Sequence, residues 1–339
     1  MNPMAKSGRD WIQFLLDRAL WIILLVIFVF FGIRASGFLS GTNLVNILLH
    51  STVLGILVIG QTICLLSKNF DLSAEGTLSL TTVMAAWMMN NTHLNTLFAI
   101  PLMIIVGGLA GLINGLLITR LRMNNFIVTL AMQLFLRGIA SLISGGIQIN
   151  VKQSPFNWLG VGMLGPIPVA IIFTPLLFIA VHYYLKRSKF GRQLYAVGSN
   201  PEAARASGFN PARTVTIAYV LSGVLAGIAG WMLLGRVQVS YSLLGSGFTL
   251  ETVAASVIGG ISLLGGLGTV GGAFAGVMLL SLVDDGLNLM SVNSYWVNGI
   301  RGLFILVALV IDAQKVRYQP KRKIQQIQTQ TPSEGQGTT

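Results

Sequence analysis

Apolar residues in this chain run in blocks too long for a soluble core. About ten can be drawn, at 20–34, 44–66, 72–89, 95–118, 125–144, 167–185, 214–235, 250–264, 267–287 and 297–312. Crossing a bilayer takes about 20 apolar helical residues, and only helices or closed barrels satisfy their own backbone groups there. The expected fold is therefore an all-α integral membrane protein with about ten transmembrane helices. The third and eighth blocks are short and interrupted by polar residues, which marks them as broken or re-entrant. Only 9% of the residues are charged, against about 25% in a soluble domain, so a soluble globular reading is excluded.

The formal net charge is +12. In a soluble protein this would suggest nucleic acid; here the basic residues stand at block ends and follow the positive-inside rule. Lys6, Arg9 and Arg18 precede the first block, which places the N-terminus in the cytoplasm. Alternation then puts Lys68, Arg120 with Arg122, the cluster Lys186, Arg187, Lys189 and Arg192, and the tail Lys315 to Lys323 on the same side. Arg34, Lys152 and Arg236 fall on the other. Both termini are expected inside. No small-residue cleavage site follows the first block, which reads as a retained anchor. Residues 1–19 form a cytoplasmic segment, 20–312 the transmembrane domain, and 313–339 a basic, Gln- and Thr-rich tail expected to be disordered.

One polar insert, 186–213, interrupts the apolar pattern and spells out a short helix. Asn200 suits an N-cap, Pro201 the first helical position, Glu202 the positive end of the dipole, and Gly208 a left-handed stop. Ala203, Ala204, Arg205, Ala206 and Ser207 lie between. So short a helix is unstable alone in water, so it must pack against something. A small-residue knob on the basic side suits a partner's groove.

No catalytic constellation or metal site is present. His50, His93 and His182 are scattered, Cys64 is the single cysteine, and no phosphate-binding loop with its lysine occurs. Any ATP must be hydrolysed by another polypeptide. Polar groups inside membrane blocks are costly and invite functional questions. Asp71, Ser73 and Glu75 open the third block, and Glu251 holds the matching place in the eighth. They line a path or cap helix starts, and the local pattern favours caps. Asn114, Asn124, Thr129 and Gln133 can bond a hydroxylated solute or a neighbouring helix. Arg137 and Arg301 lie deeper, with Asp284, Asp285 or Asp312 as candidate partners.

Two further patterns bear on architecture. Asp71-Leu72-Ser73 recurs loosely as Thr249-Leu250-Glu251, and Arg137-Gly138 as Arg301-Gly302. Five blocks separate the copies, so the halves would be inverted, a common plan for transporters. The run Gly259 to Thr269 lacks a lysine and a flanking strand, and reads as a tight turn between closely packed helices.

The chain resembles the permease subunits of bacterial ABC importers for monosaccharides. The residues that carry the likeness are Phe190-Gly191-Arg192, Tyr195 to Asn200, Ala203-Ala204 and Ser207-Gly208 in the insert. Asp71-Leu72-Ser73, Phe126 to Leu130 and Gly259 to Thr269 add to them, and the match runs from about Phe38 to Asp312. The resemblance implies a non-catalytic subunit of the bacterial inner membrane. It would pair with a second permease, identical or not, dock a cytoplasmic ATPase, and receive sugar from a periplasmic or lipid-anchored binding protein. ATP and magnesium would belong to the ATPase. It also implies that 200–208 is the coupling helix, with Asn200, Glu202, Ala203, Ala204, Arg205 and Gly208 contacting the ATPase or shaping the contact. Asp71, Ser73, Glu75, Asn114, Thr129, Gln133 and Glu251 are the candidate path residues. Ser199, Asn125 and Glu75 depart from the family pattern, which leaves the architecture intact and the solute open. The competing reading is an ion-coupled secondary transporter using Asp71, Glu75, Glu251 or Asp284.

Overall fold

The computed structural model describes residues 20–293 and isolated positions between 296 and 310. The expected segments 1–19 and 313–339, Arg301, Asp312 and most of the tenth block lie outside the described residues. Helices dominate. They are α1 (Leu20–Arg34), α2 (Gly41–Leu66), α3 (Ala74–Asn91), α4 (Ala99–Arg120), α5 (Asn125–Ser144) and the single turn α6 (Trp158–Val161). Then come α7 (Val169–Arg187), α8 (Lys189–Ser199), α9 (Pro201–Ala206), α10 (Pro211–Val237), α11 (Phe248–Ile258) and α12 (Val270–Leu289). Two small antiparallel ribbons complete the described part. β1 (Ile149–Asn150) pairs with β4 (Val239–Ser240), and β2 (Met163–Leu164) with β3 (Ile167–Pro168).

Among the described residues six helices are long and apolar enough to cross a membrane: α2, α4 with its preceding turn, α5, α7, α10 and α12. The third block, α3, has 18 residues but a polar composition. The eighth block is short and broken, as its polar interruptions suggest. Helix α11 stops at Ile258, and 259–269 form a turn in which Gly260, Gly265, Gly266 and Gly268 take positive φ. That conformation suits glycine and ends the helix.

The bundle is organised around α2 and α10. Helix α2 is buried over most of its length, while α4, α5 and α7 leave one face outward. Lipid offers no hydrophobic drive for helix association, so close van der Waals contact must supply it. Glycines at four-residue spacing do so here: Gly107, Gly111 and Gly115 on α4 meet Gly223, Tyr219 and Thr216 of α10 backbone to backbone. A Cβ on Gly115 would stand 2.8 Å from Thr216 Cα, and one on Gly227 would stand 2.5 Å from the Met103 carbonyl oxygen. Helix starts are fixed by side-chain caps: Ser40 for α2, Asn124 for α5, Ser188 for α8 and Thr269 for α12. Asn124, a candidate solute contact, is thus a cap.

Candidate functional site

The polar insert folds as two short helices joined at one residue. Asn200 ends α8 and caps α9, its Oδ1 accepting from the N–H groups of Glu202 and Ala203 at 3.0 Å. The stop is a left-handed one: Gly208 has φ +83°, its N–H reaches the Arg205 carbonyl, and the Phe209 N–H reaches that of Ala204. Asn210 then caps α10, accepting from the Arg213 N–H at 3.0 Å. The chain therefore runs from α9 into α10 through a turn held by backbone bonds from Gly208 and Phe209 and by the Asn210 side chain. Pro201, Glu202, Ala203, Arg205, Ala206 and Ser207 are exposed, whereas Ala204 is buried against the protein's own body. Of the residues expected to serve coupling, Glu202, Ala203 and Arg205 are exposed together; Ala204 anchors the helix, and Asn200 and Gly208 set its two ends.

Beneath this peg three segments meet at backbone distance. Gly198 of α8 lies against the Leu66 carbonyl at the end of α2, and the Gly266 N–H donates to that carbonyl at 3.0 Å. Gly266 in turn abuts Ser199. The Tyr195 hydroxyl donates to the Gly268 carbonyl at 3.0 Å, and burial raises its pKa, keeping it a donor. The glycine run is thus more than a turn between helices, since it is also the seat of the insert. Sequence spacing gave no sign of that second role.

Past Leu66 the chain turns back into the bundle, with Lys68 at φ +65°. Asp71 is 1% exposed. Its Oδ1 accepts from the Ser73 N–H at 2.9 Å and the Ser73 hydroxyl at 2.6 Å, and its Oδ2 accepts from the Ser222 hydroxyl at 2.6 Å. Asn114 of α4 donates to Ser73 Oγ at 2.7 Å, and the Tyr219 hydroxyl donates to the Phe70 carbonyl at 2.7 Å. Ser222 lies 11 residues after Pro211, about 17 Å along α10. The expected cap is not formed: Ser73 stands at the N-cap of α3 without a side-chain bond to the helix, and Asp71 instead closes a turn onto Ser73 and is buried against α10.

Glu75, in the first turn of α3, reaches into the second half of the chain. It pairs with Arg137 of α5 and accepts from the Gly247 and Thr249 N–H groups, each at 3.1 Å. Helix α11 has no side-chain cap of its own, so Glu75 supplies one. Thr249 Oγ1 also donates to the Leu72 carbonyl at 3.3 Å. The two segments singled out as a loose repeat are therefore bonded to each other, and α3 and α11 begin side by side. This corrects the partner expected for Arg137, which is Glu75 rather than Asp284 or Asp285. Arg137 further donates to Ser246 Oγ at 2.5 Å.

Asp284 and Asp285 instead line a cavity of about 330 Å³ at the opposite end from the insert, together with Glu251, His50, Arg236 and Asn288. Asp285 accepts from Asn43 at 2.7 Å, and Arg236 donates to the Leu49 carbonyl at 2.9 Å. Of the remaining path candidates, Thr129 is buried and bonds the Asn125 carbonyl of its own helix at 2.8 Å. Gln133 lies where α3 and α5 touch, its backbone 2.6 Å from where a Gly76 Cβ would stand. Asn125, a departure from the family pattern, donates to Asn69 at 3.1 Å and ties α5 to the re-entrant segment. Sequence reasoning missed Ser222, Tyr219 and Gln61. Gln61 is 1% exposed, and neither its Oε1 nor its Nε2 has a partner among the described residues.

Residues 43–309 match the family described as "Branched-chain amino acid transport system / permease component". The ribose import permease protein RbsC of Escherichia coli (strain K12) is 32% identical over 321 residues, covering 93% of this chain and 100% of that one. The L-arabinose ABC transporter permease protein AraH of Azospirillum brasilense is 31% identical over 322 residues, 95% of this chain and 94% of the relative. The galactose/methyl galactoside import permease protein MglC of Escherichia coli (strain K12) is 32% identical over 329 residues, 92% and 98% of the two chains. No solved structure matches. A capped peg beside a glycine seat, a bundle held by glycine contacts, and relatives that align over almost the whole length lead to one conclusion: the chain belongs to this family of transport-system permease components.

Proposed function

We propose that this chain is the membrane-spanning subunit of an ATP-driven importer for a monosaccharide. It acts by alternating access and makes or breaks no bond in its solute. The named relatives carry ribose, arabinose and galactose or methyl galactoside, which supports a sugar without choosing one. The observation that carries the reading is α9, an exposed six-residue helix with a bonded cap at each end and a fixed turn into α10. A helix of that length has no stability of its own; what it offers is a shape. Lys68, Arg120, Arg122 and the insert's Lys186, Arg187, Lys189, Arg192, Arg205 and Arg213 mark that end as cytoplasmic under the positive-inside rule.

In this scheme a cytoplasmic ATPase grips Glu202, Ala203 and Arg205, and its closure moves α9 with α10. Ser222 and Tyr219 on α10 hold the re-entrant segment at Asp71 and Phe70, so the motion reaches the paired starts of α3 and α11. A sugar-binding protein delivers solute at the opposite end, where Glu251, Asp284, Asp285 and Asn288 offer hydrogen-bonding groups suited to hydroxyls. A second permease completes the assembly, and both termini are cytoplasmic.

Reconstituted uptake tests the reading. Accumulation of sugar that requires the binding protein, the ATPase and ATP supports it. Accumulation driven by a proton or sodium gradient without an ATPase contradicts it and favours an ion-coupled carrier.

A further inference from the structure

At the insert's end of the bundle two clefts meet at His182. The first, of about 560 Å³, lies between the end of α7, α8 and the start of α12, and is lined by His182, Lys186, Arg192, Tyr195 and Thr269. The N-terminus of the 20-residue helix α12 points its positive end there. The second, of about 360 Å³, runs along α7 past α1 and α12 and is almost wholly apolar, lined by Trp21, Phe178, Ile179, Tyr183, Gly271 and Phe274 beside the same His182. Among the described residues no carboxylate lines either cleft.

We infer that these clefts form one binding site for an anionic phospholipid of the cytoplasmic leaflet. Its phosphate lies among Lys186, Arg192 and the α12 N-terminus, and an acyl chain lies in the groove between Trp21 and Phe274. Charge and polarity choose the occupant together. A soluble phosphate would satisfy the basic cleft and leave the groove unexplained. A neutral lipid would fill the groove and leave Lys186 and Arg192 without an anion. Basic pockets between helices on the cytoplasmic side are suited to anionic headgroups, and Trp21 and Tyr183 have the amphipathic rings favoured at that depth. Arg192 and Tyr195 belong to α8, so the lipid braces the same insert whose far end is α9. The inference rests on the cytoplasmic placement of the insert proposed above, but its readout does not involve transport.

The test purifies the full chain from vesicles of phosphatidylcholine mixed with phosphatidylglycerol, and weighs the retained lipid by native mass spectrometry. Wild type is expected to keep phosphatidylglycerol in preference to phosphatidylcholine. Each of Lys186→Gln and Arg192→Gln should weaken that preference about fivefold, while the control pair Arg120→Gln and Arg122→Gln, outside the clefts, leaves it unchanged. Gly271→Trp fills the groove from a position where an added Cβ meets nothing within 4 Å, so the backbone need not shift, and the variant should also expel the lipid. Equal retention of the two lipids overturns the inference, as does an equal loss in the control pair. Retention indifferent to Gly271→Trp and displaced by inorganic phosphate alone would make the site one for a soluble anion, which also overturns it.

Discussion

The polar insert and the polar interior solve the same problem, satisfying backbone and side-chain polar groups, over opposite ranges of sequence. In the insert the bonds are local: Asn200 to positions two and three residues on, Ser207 to a position four back, Asn210 to one three on. In the interior they are distant: 151 residues separate Asp71 from Ser222, 174 separate Glu75 from Thr249, and 62 separate Arg137 from Glu75. The local device can be read and altered without disturbing the bundle, whereas the distant one is the bundle. Substitutions in the interior should therefore cost mainly stability, and those on the peg mainly transport.

The largest effect should follow from Glu75→Ala, which leaves Arg137 without its carboxylate and the start of α11 without its cap. Breaking a buried ion pair costs about 3–5 kcal/mol, seen as a lower unfolding midpoint in detergent. Adding Arg137→Ala should recover part of that loss, and strictly additive losses would show that the pair is not coupled. Gly111→Ala should follow, because its Cβ runs into the Tyr219 carbonyl. Overpacking of this kind costs about 1–3 kcal/mol, and an unchanged midpoint would mean that α4 and α10 are not in backbone contact. Ser222→Ala removes one donor from Asp71, at a cost of about 1 kcal/mol. Smallest in stability is Asn200→Ala, about 1 kcal/mol or less because the capped helix is short and exposed. Its signature should be sugar transport falling while the unfolding midpoint stays near wild type. A loss of stability from Asn200→Ala as large as that from Glu75→Ala would erase the contrast between the two regions.

The same difference in range explains what the sequence disclosed. Asn200, Pro201 and Gly208 declared α9 because capping chemistry operates within four residues. The long blocks declared their helices because burial in lipid needs a minimum length. The meeting of α3 and α11 was only hinted at, by the likeness of 71–73 to 249–251, and the Glu75–Arg137 pair was hidden behind equally plausible acids on α12. Ser222 carries no signal, since a serine in a transmembrane helix bonds its own backbone as readily as a distant carboxylate. The glycine run was legible as a turn because positive φ is a local property; that it seats Gly198 and Tyr195 is a property of the assembled bundle.

The central claim is that the exposed face of α9 is where an ATPase takes hold, and it can be tested by proximity. A photo-crosslinking residue placed at Ala203, in the full transporter, is expected to join the chain to the ATPase subunit, while the same residue at Lys152 on the other end joins it to the sugar-binding protein or to nothing. Crosslinks to the ATPase from Lys152 and none from Ala203 would contradict the account.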